Sequence, residues 1–84
     1  MNTINWSRNA VKQLRKIDKV DQPKVYDAVQ ALAHMPHAQS VKALVNHHYG
    51  YRLRVGNYRV LFDWDGGVKI VSIEEVKKRD EHTY

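Results

Sequence analysis

Arg52, Arg54 and Arg59 lie close together in the stretch Tyr51-Arg52-Leu53-Arg54-Val55-Gly56-Asn57-Tyr58-Arg59, and their chemistry is that of a phosphate clamp. A guanidinium donates two parallel hydrogen bonds to a phosphate and keeps its charge at any physiological pH. It binds an anion well and accepts a proton badly, so a reaction at the phosphate needs other groups. The stretch Lys77-Lys78-Arg79-Asp80-Glu81-His82-Thr83-Tyr84 contains them: further cations, an imidazole at His82 that can exchange protons near neutrality, and a phenol at Tyr84 able to stack on a base or donate a proton. Attached to the last strand, this tail can fold back across the arginines. A solvated terminal tail is the plainer alternative.

A hairpin positions the arginines. Tyr51–Val55 alternates polar and apolar residues, Gly56-Asn57 has the form of a two-residue type II′ turn, and Tyr58–Trp64 returns. The turn fixes the register, with Val55 opposite Tyr58, Arg54 opposite Arg59, Leu53 opposite Val60 and Arg52 opposite Leu61. Because side chains alternate, Tyr51, Leu53, Val55, Tyr58, Val60 and Phe62 face the core and the three arginines face away from it. Arg54 and Arg59 are then like charges directly opposed, which destabilises a bare sheet, and Asp63 is the one acidic residue expected nearby. Such a face calls for an anion. The alternative is a solvated surface on which the arginines splay apart.

The rest of the chain supplies the body. Asn2–Trp6 reads as a short strand running into a helix capped by Ser7. That helix carries Ala10, Val11, Leu14 and Ile17 on one face and Arg8, Lys12, Arg15, Lys16 and Lys19 on the other. A second amphipathic helix starts at Asp21 or Gln22 before Pro23, continues through Val25, Ala28, Val29, Leu32 and Met35, and stops at Pro36. Residues 37 to 48 read as an ordered loop anchored by Val41-Lys42-Ala43-Leu44. Past the turn at Asp65-Gly66-Gly67, Val68–Ile73 is apolar on both faces and belongs inside a sheet. The expected fold is α+β in the order β-α-α-β-β-β, an N-terminal helical hairpin packed on a small, mainly antiparallel twisted sheet, with residues 1–84 forming one domain.

Composition agrees with a nucleic-acid partner without requiring one. The 84 residues carry a formal charge of +5 and have a pI of about 9.6, which favours polyanions but lies within the range that solubility alone explains. The absence of cysteine removes disulfides and suits a cytoplasmic protein. No signal-peptide pattern opens the sequence, and no apolar run approaches the roughly 20 residues that span a bilayer, so no membrane partner is expected. His47-His48 with His34 or His37 is the only grouping with a hint of metal binding. Adjacent strand residues point to opposite faces and no carboxylate stands at ligand spacing, so these histidines are read as lining a loop that contacts RNA or ribosome. Asp18, Asp21, Asp27, Asp63, Asp65, Glu74 and Glu75 are scattered, without the paired carboxylates of a metal nuclease. No metal and no cofactor is expected. Trp6 and Trp64 occupy apolar-phase positions and are read as packing residues.

Tyr51–Phe62, together with the Lys/Arg-containing tail ending at Tyr84, resembles the RelE/ParE toxin superfamily of bacterial type II toxin–antitoxin systems, and the resemblance extends over the whole chain. It implies a RelE-like fold and, in the RelE type, a ribosome-dependent messenger-RNA endonuclease in which the 2′-hydroxyl attacks the adjacent phosphate, so inhibiting translation. Carried over residue by residue, Arg52 and Arg54 stand where RelE has lysines, Arg59 matches its phosphate-stabilising arginine, and Tyr84 matches its C-terminal tyrosine. Lys78 falls opposite the family's tail arginine in an ungapped alignment, Arg79 if the tail slides by one residue. Lys77 joins the phosphate ligands. Because arginines replace lysines, the base must come from elsewhere, and His82 is the candidate, with Tyr84 stacking or serving as acid. The resemblance also implies a cognate antitoxin, messenger RNA in the A site of the 70S ribosome as target, and contact with operator DNA only through the antitoxin. Two alternatives follow from the same superfamily: a ParE-like toxin directed at DNA gyrase without ribonuclease activity, and a catalytically silent relative that only binds its antitoxin.

Overall fold

The structure, a computed structural model, describes residues 1–78. Its elements in chain order are strand β1 (Thr3–Trp6), helix α1 (Arg8–Lys16), helix α2 (Gln22–Gln30), a single 3-10 turn (Ala31–His34), and strands β2 (Val41–Ala43), β3 (Tyr51–Val55), β4 (Tyr58–Asp65) and β5 (Ile70–Lys78). Five strands form one sheet in the order β1-β5-β4-β3-β2. The two helices pack on one of its faces.

Ser7 starts α1 as expected, its Oγ accepting from the Ala10 N–H at 3.0 Å. Asp21 precedes α2 but does not cap it: its Oδ2 instead accepts from the Tyr58 hydroxyl at 2.8 Å, tying the start of α2 to the hairpin turn. The α-helical part of the second helix ends at Gln30, and the expected run to Met35 is completed by the 3-10 turn, which keeps Leu32 in the core. Gly56 takes the positive φ, 54°, that a tight hairpin turn requires. The register across that turn is the expected one, Val55 to Tyr58, Arg54 to Arg59, Leu53 to Val60 and Arg52 to Leu61.

Two features of the sheet differ from the sequence expectation. Val41–Ala43 is a strand rather than a loop; it pairs antiparallel with β3, placing Lys42 opposite Arg52, and Ser40 enters it with a φ of 64°. The last strand runs from Ile70 to Lys78, between β4 and a parallel β1: it starts two residues after Val68, which is exposed in the turn rather than inside the sheet, and continues five residues beyond Ile73. Its pairing with β4 shifts at Leu61/Phe62: Phe62 faces Ile73, yet Leu61 faces Glu75, leaving Glu74 as the extra residue of a β-bulge. The bulge is held from the helical layer, since Ser7 Oγ donates to the Glu74 carbonyl (3.1 Å) and the Val76 N–H donates to Gln13 Oε1 (2.6 Å).

The core lies between helices and sheet and is built from Ala10, Val25, Val29, Leu32, Leu53, Val60, Phe62, Val71, Ile73 and Val76. Tyr51 stacks on Phe62 and meets Trp64 edge-on. Trp6 stacks on Tyr26, and Trp64 donates its indole N–H to Asn2 Oδ1 at 3.0 Å, so both tryptophans serve packing.

Candidate nucleic-acid interface

The face of the sheet away from the helices carries the candidate site. Arg54 on β3 faces Arg59 on β4, which in turn faces Lys77 on β5, so three cations form one row across three strands. The next row is Lys42, Arg52, Leu61 and Glu75, read from β2 to β5. Leu61, though 7% exposed, is not part of the core cluster: it forms an apolar floor on the open face between Arg52 and Glu75. Asp63 stands beyond Leu61, its Oδ1 accepting from the Gly50 N–H at 2.7 Å.

The β-bulge decides which C-terminal residues belong to this face. Without the extra residue at Glu74, strict alternation after Ile73 would turn Glu75 inward and Val76 outward. With it, Val76 is buried and Glu75 and Lys77 share the open face with the arginines. Lys78 falls on the other side. It pairs with Tyr58 and lines a shallow pocket with Gln13, Lys16, Ile17 and Asp18, away from Arg59. Of the residues singled out from the sequence, the fold therefore brings together Arg52, Arg54, Arg59 and Lys77 and separates Lys78 from them. Arg79, His82 and Tyr84 lie outside the described residues.

Two electrostatic features mark the face. Arg52 Nε is buried and has no hydrogen-bond partner among the described residues, an arrangement that costs free energy until an acceptor arrives. The carboxylate of Glu75 lies 3.6 Å from Lys77 Nζ. Nearby, burial and then the Glu75 carboxylate hold the Tyr49 hydroxyl above its ordinary value, with Glu74 and Asp63 adding to the effect. Tyr49 belongs to the loop closed by the bond from the Leu44 N–H to the Gly50 carbonyl, and it packs against both His47 and His48. Among the described residues no three His, Asp or Glu side chains converge as a metal-ligating group.

Sequence reasoning missed Lys42 and Glu75. Lys42 was hidden because a three-residue edge strand leaves no periodicity to read. Glu75 had a trace: Ile73 and Val76 are three apart on one strand, and two core residues at that spacing require a bulge between them.

The model of the ParE toxin of type II toxin–antitoxin systems matches residues 4–83. No curated protein matches the chain by sequence. Among solved structures, the toxin–antitoxin complex RelBE2 of Mycobacterium tuberculosis contains a chain that is similar at 23% identity and a TM-score of 0.79, with 93% of this chain and 98% of that one covered. The archaeal RelE–RelB complex of Pyrococcus horikoshii is similar at 22% identity and a TM-score of 0.79, covering 95% and 97%. The isolated RelE toxin of E. coli is similar at 14% identity and a TM-score of 0.80, covering 99% and 89%. At these identities the structural likeness shows the shared fold, two helices on a five-stranded mixed sheet, and no more. With the family model spanning nearly the whole sequence, the chain belongs to the ParE toxin family of type II toxin–antitoxin systems, within the RelE/ParE toxin superfamily.

Proposed function

We propose that this toxin is a metal-independent endoribonuclease that cuts messenger RNA in the ribosomal A site, with the 2′-hydroxyl attacking the adjacent phosphate, and so arrests translation in the cytoplasm. The observation that carries this reading is the row Arg54, Arg59 and Lys77 with the unpartnered Arg52 Nε beside it. Preorganised cations aimed at one place stabilise the charge that develops on a phosphorane, and they need no reorganisation at the moment of reaction. Guanidiniums also explain binding that does not depend on base identity. The RelE–RelB structures are complexes of a toxin with its antitoxin, which supports a cognate antitoxin for this chain as well.

The test is Arg59→Ala. Induction of the wild type should arrest growth and produce messenger cuts spaced in the reading frame, mapped by primer extension; the variant should do neither and should still bind its antitoxin. A second reading, a gyrase-directed toxin that cuts no RNA, is favoured by the family whose model matches, since that is the ParE toxin. Growth arrest with intact messenger and induced DNA damage would replace the first reading by the second.

A further inference from the structure

Arg52, Arg54, Arg59 and Lys77 share the open face as the phosphate ligands of the function proposed above, and none of them is suited to take a proton from a ribose hydroxyl, because arginine side chains do not deprotonate in proteins and an ammonium is already protonated. Among the described residues, strand alternation puts Asp63 and Asp65 of β4 on the open face with Glu75 of β5, and Glu74 is the bulge residue beside it. Asp63 is engaged by the Gly50 N–H at 2.7 Å and sits one row beyond Leu61, and Asp65, which accepts from the Gly67 and Val68 N–H groups, lies a row further still from Arg54 and Arg59. Glu75 stands two residues before Lys77 on β5, and Lys77 faces Arg59 directly, so Glu75 and Arg59 are diagonal neighbours on adjacent strands, on the order of 7 Å apart.

We infer that Glu75 accepts the proton of the attacking 2′-hydroxyl, an assignment that rests on the endoribonuclease reading above. Its Oε1 lies 3.6 Å from Lys77 Nζ, and its side chain is 19% exposed, open to a substrate yet largely shielded from water. Among the described residues, the charged and titratable groups around it are Arg52 of β3 across Leu61, Arg59 and Asp63 of β4, Glu74 and Lys77 on its own strand, and Tyr49 from the loop before β3. Tyr49, held protonated beyond its usual range by burial and by Glu75 itself, keeps a neutral phenol beside the carboxylate. The bulge at Glu74 adds an independent sign of function. An extra residue in a strand re-aims side chains, and here it converts an inward glutamate into one that shares a face with the arginines, at the expense of ladder regularity.

In the step assigned, the 2′ oxygen gives its proton to the Glu75 carboxylate and forms a bond to phosphorus. The bond from phosphorus to the 5′ oxygen breaks, and that oxygen leaves with the electron pair and takes a proton from water. The products are a 2′,3′-cyclic phosphate and a 5′-hydroxyl, after which Glu75 returns its proton to solvent. Arg54, Arg59 and Lys77 hold the phosphoryl oxygens throughout.

The experiment compares wild type, Glu75→Gln, Glu75→Asp and Arg59→Ala on ribosome-bound messenger, together with binding of a 2′-deoxy oligonucleotide that cannot be cut. Glu75→Gln should lower kcat by about 100-fold or more while binding the deoxy strand at least as tightly, which also shows that the variant is folded. Glu75→Asp should keep an intermediate rate, and the acidic limb of the pH–rate profile should vanish in Glu75→Gln. A Glu75→Gln protein that cuts within about threefold of wild type overturns the assignment and leaves the endoribonuclease reading intact. Equal losses of cleavage and deoxy-strand binding overturn it too, by showing a structural role. A wild type that makes no cut on any messenger is the different failure, that of the endoribonuclease reading, and it removes the assignment with it.

Discussion

Neighbouring lysines with the same chemistry part company on this sheet. Lys77 faces Arg59 on the open side and Lys78 faces the helices beside Tyr58. Lys77→Ala should therefore weaken oligonucleotide binding about equally for all sequences and lower the salt slope by about one, whereas Lys78→Ala should change neither; filter binding between low and moderate salt separates the two. Arg52 gives a prediction of opposite sign for stability and function. Its buried Nε lacks a partner among the described residues, an omission of about 1–3 kcal/mol. Arg52→Met should raise the melting temperature, by about 4–8 °C for each kcal/mol recovered in a domain of this size, and weaken RNA binding. The three arginines were legible in the sequence because a two-residue turn dictates register. The desolvation of Arg52 was not, since it depends on what Lys42, Leu61 and Glu75 bring from three other strands.

At the level of elements, the helices and the hairpin were legible because each has a period that its neighbours cannot override: Val25, Val29 and Leu32 at helical spacing, Leu53, Val60 and Phe62 at strand spacing. What escaped was set by partners instead. β2 is a strand only because β3 offers it an edge, and the parallel pairing of β1 with β5 has no local signature at all. The bulge is of the same kind, since an extra residue can be counted only against the strand opposite. Its grip by Gln13 is testable. Gln13→Ala removes the acceptor of the Val76 N–H, a part-buried bond of 2.6 Å, and should cost about 1–2 kcal/mol in chemical denaturation. Cleavage assayed well below the melting temperature should fall as well, although Gln13 lies on the opposite side of the sheet from every proposed RNA ligand.

Taken whole, the molecule is basic on both sides. Arg8, Lys12, Arg15, Lys16 and Lys19 are exposed on or just past α1, while the open face carries Lys42, Arg52, Arg54, Arg59 and Lys77. If Arg52, Arg54, Arg59 and Lys77 are the phosphate ligands, the logarithm of affinity for a single strand should fall with the logarithm of salt at a slope of about −3. A slope steeper by two or more would mean that α1 binds the same strand. The helical layer is latched to the hairpin by the Tyr58 hydroxyl on Asp21, which, with burial, raises Tyr58 above the usual tyrosine range. The folded value exceeds the unfolded one, so this contribution is complete below pH ~10 and is lost as pH rises through the folded value. Tyr58→Phe should lower the melting temperature at neutral pH, and the gap to wild type should narrow in strongly alkaline buffer.

The hold that Ser7 and Gln13 keep on β5 also makes the two sides of the sheet answerable to each other. Were α1 prised from the strand, the bulge would lose both side-chain bonds that hold it, and with them the support for Glu75 and Lys77 facing out and Val76 facing in. On the endoribonuclease reading, a ligand that levered on this one short helix would act on the proposed site from behind, without touching the open face.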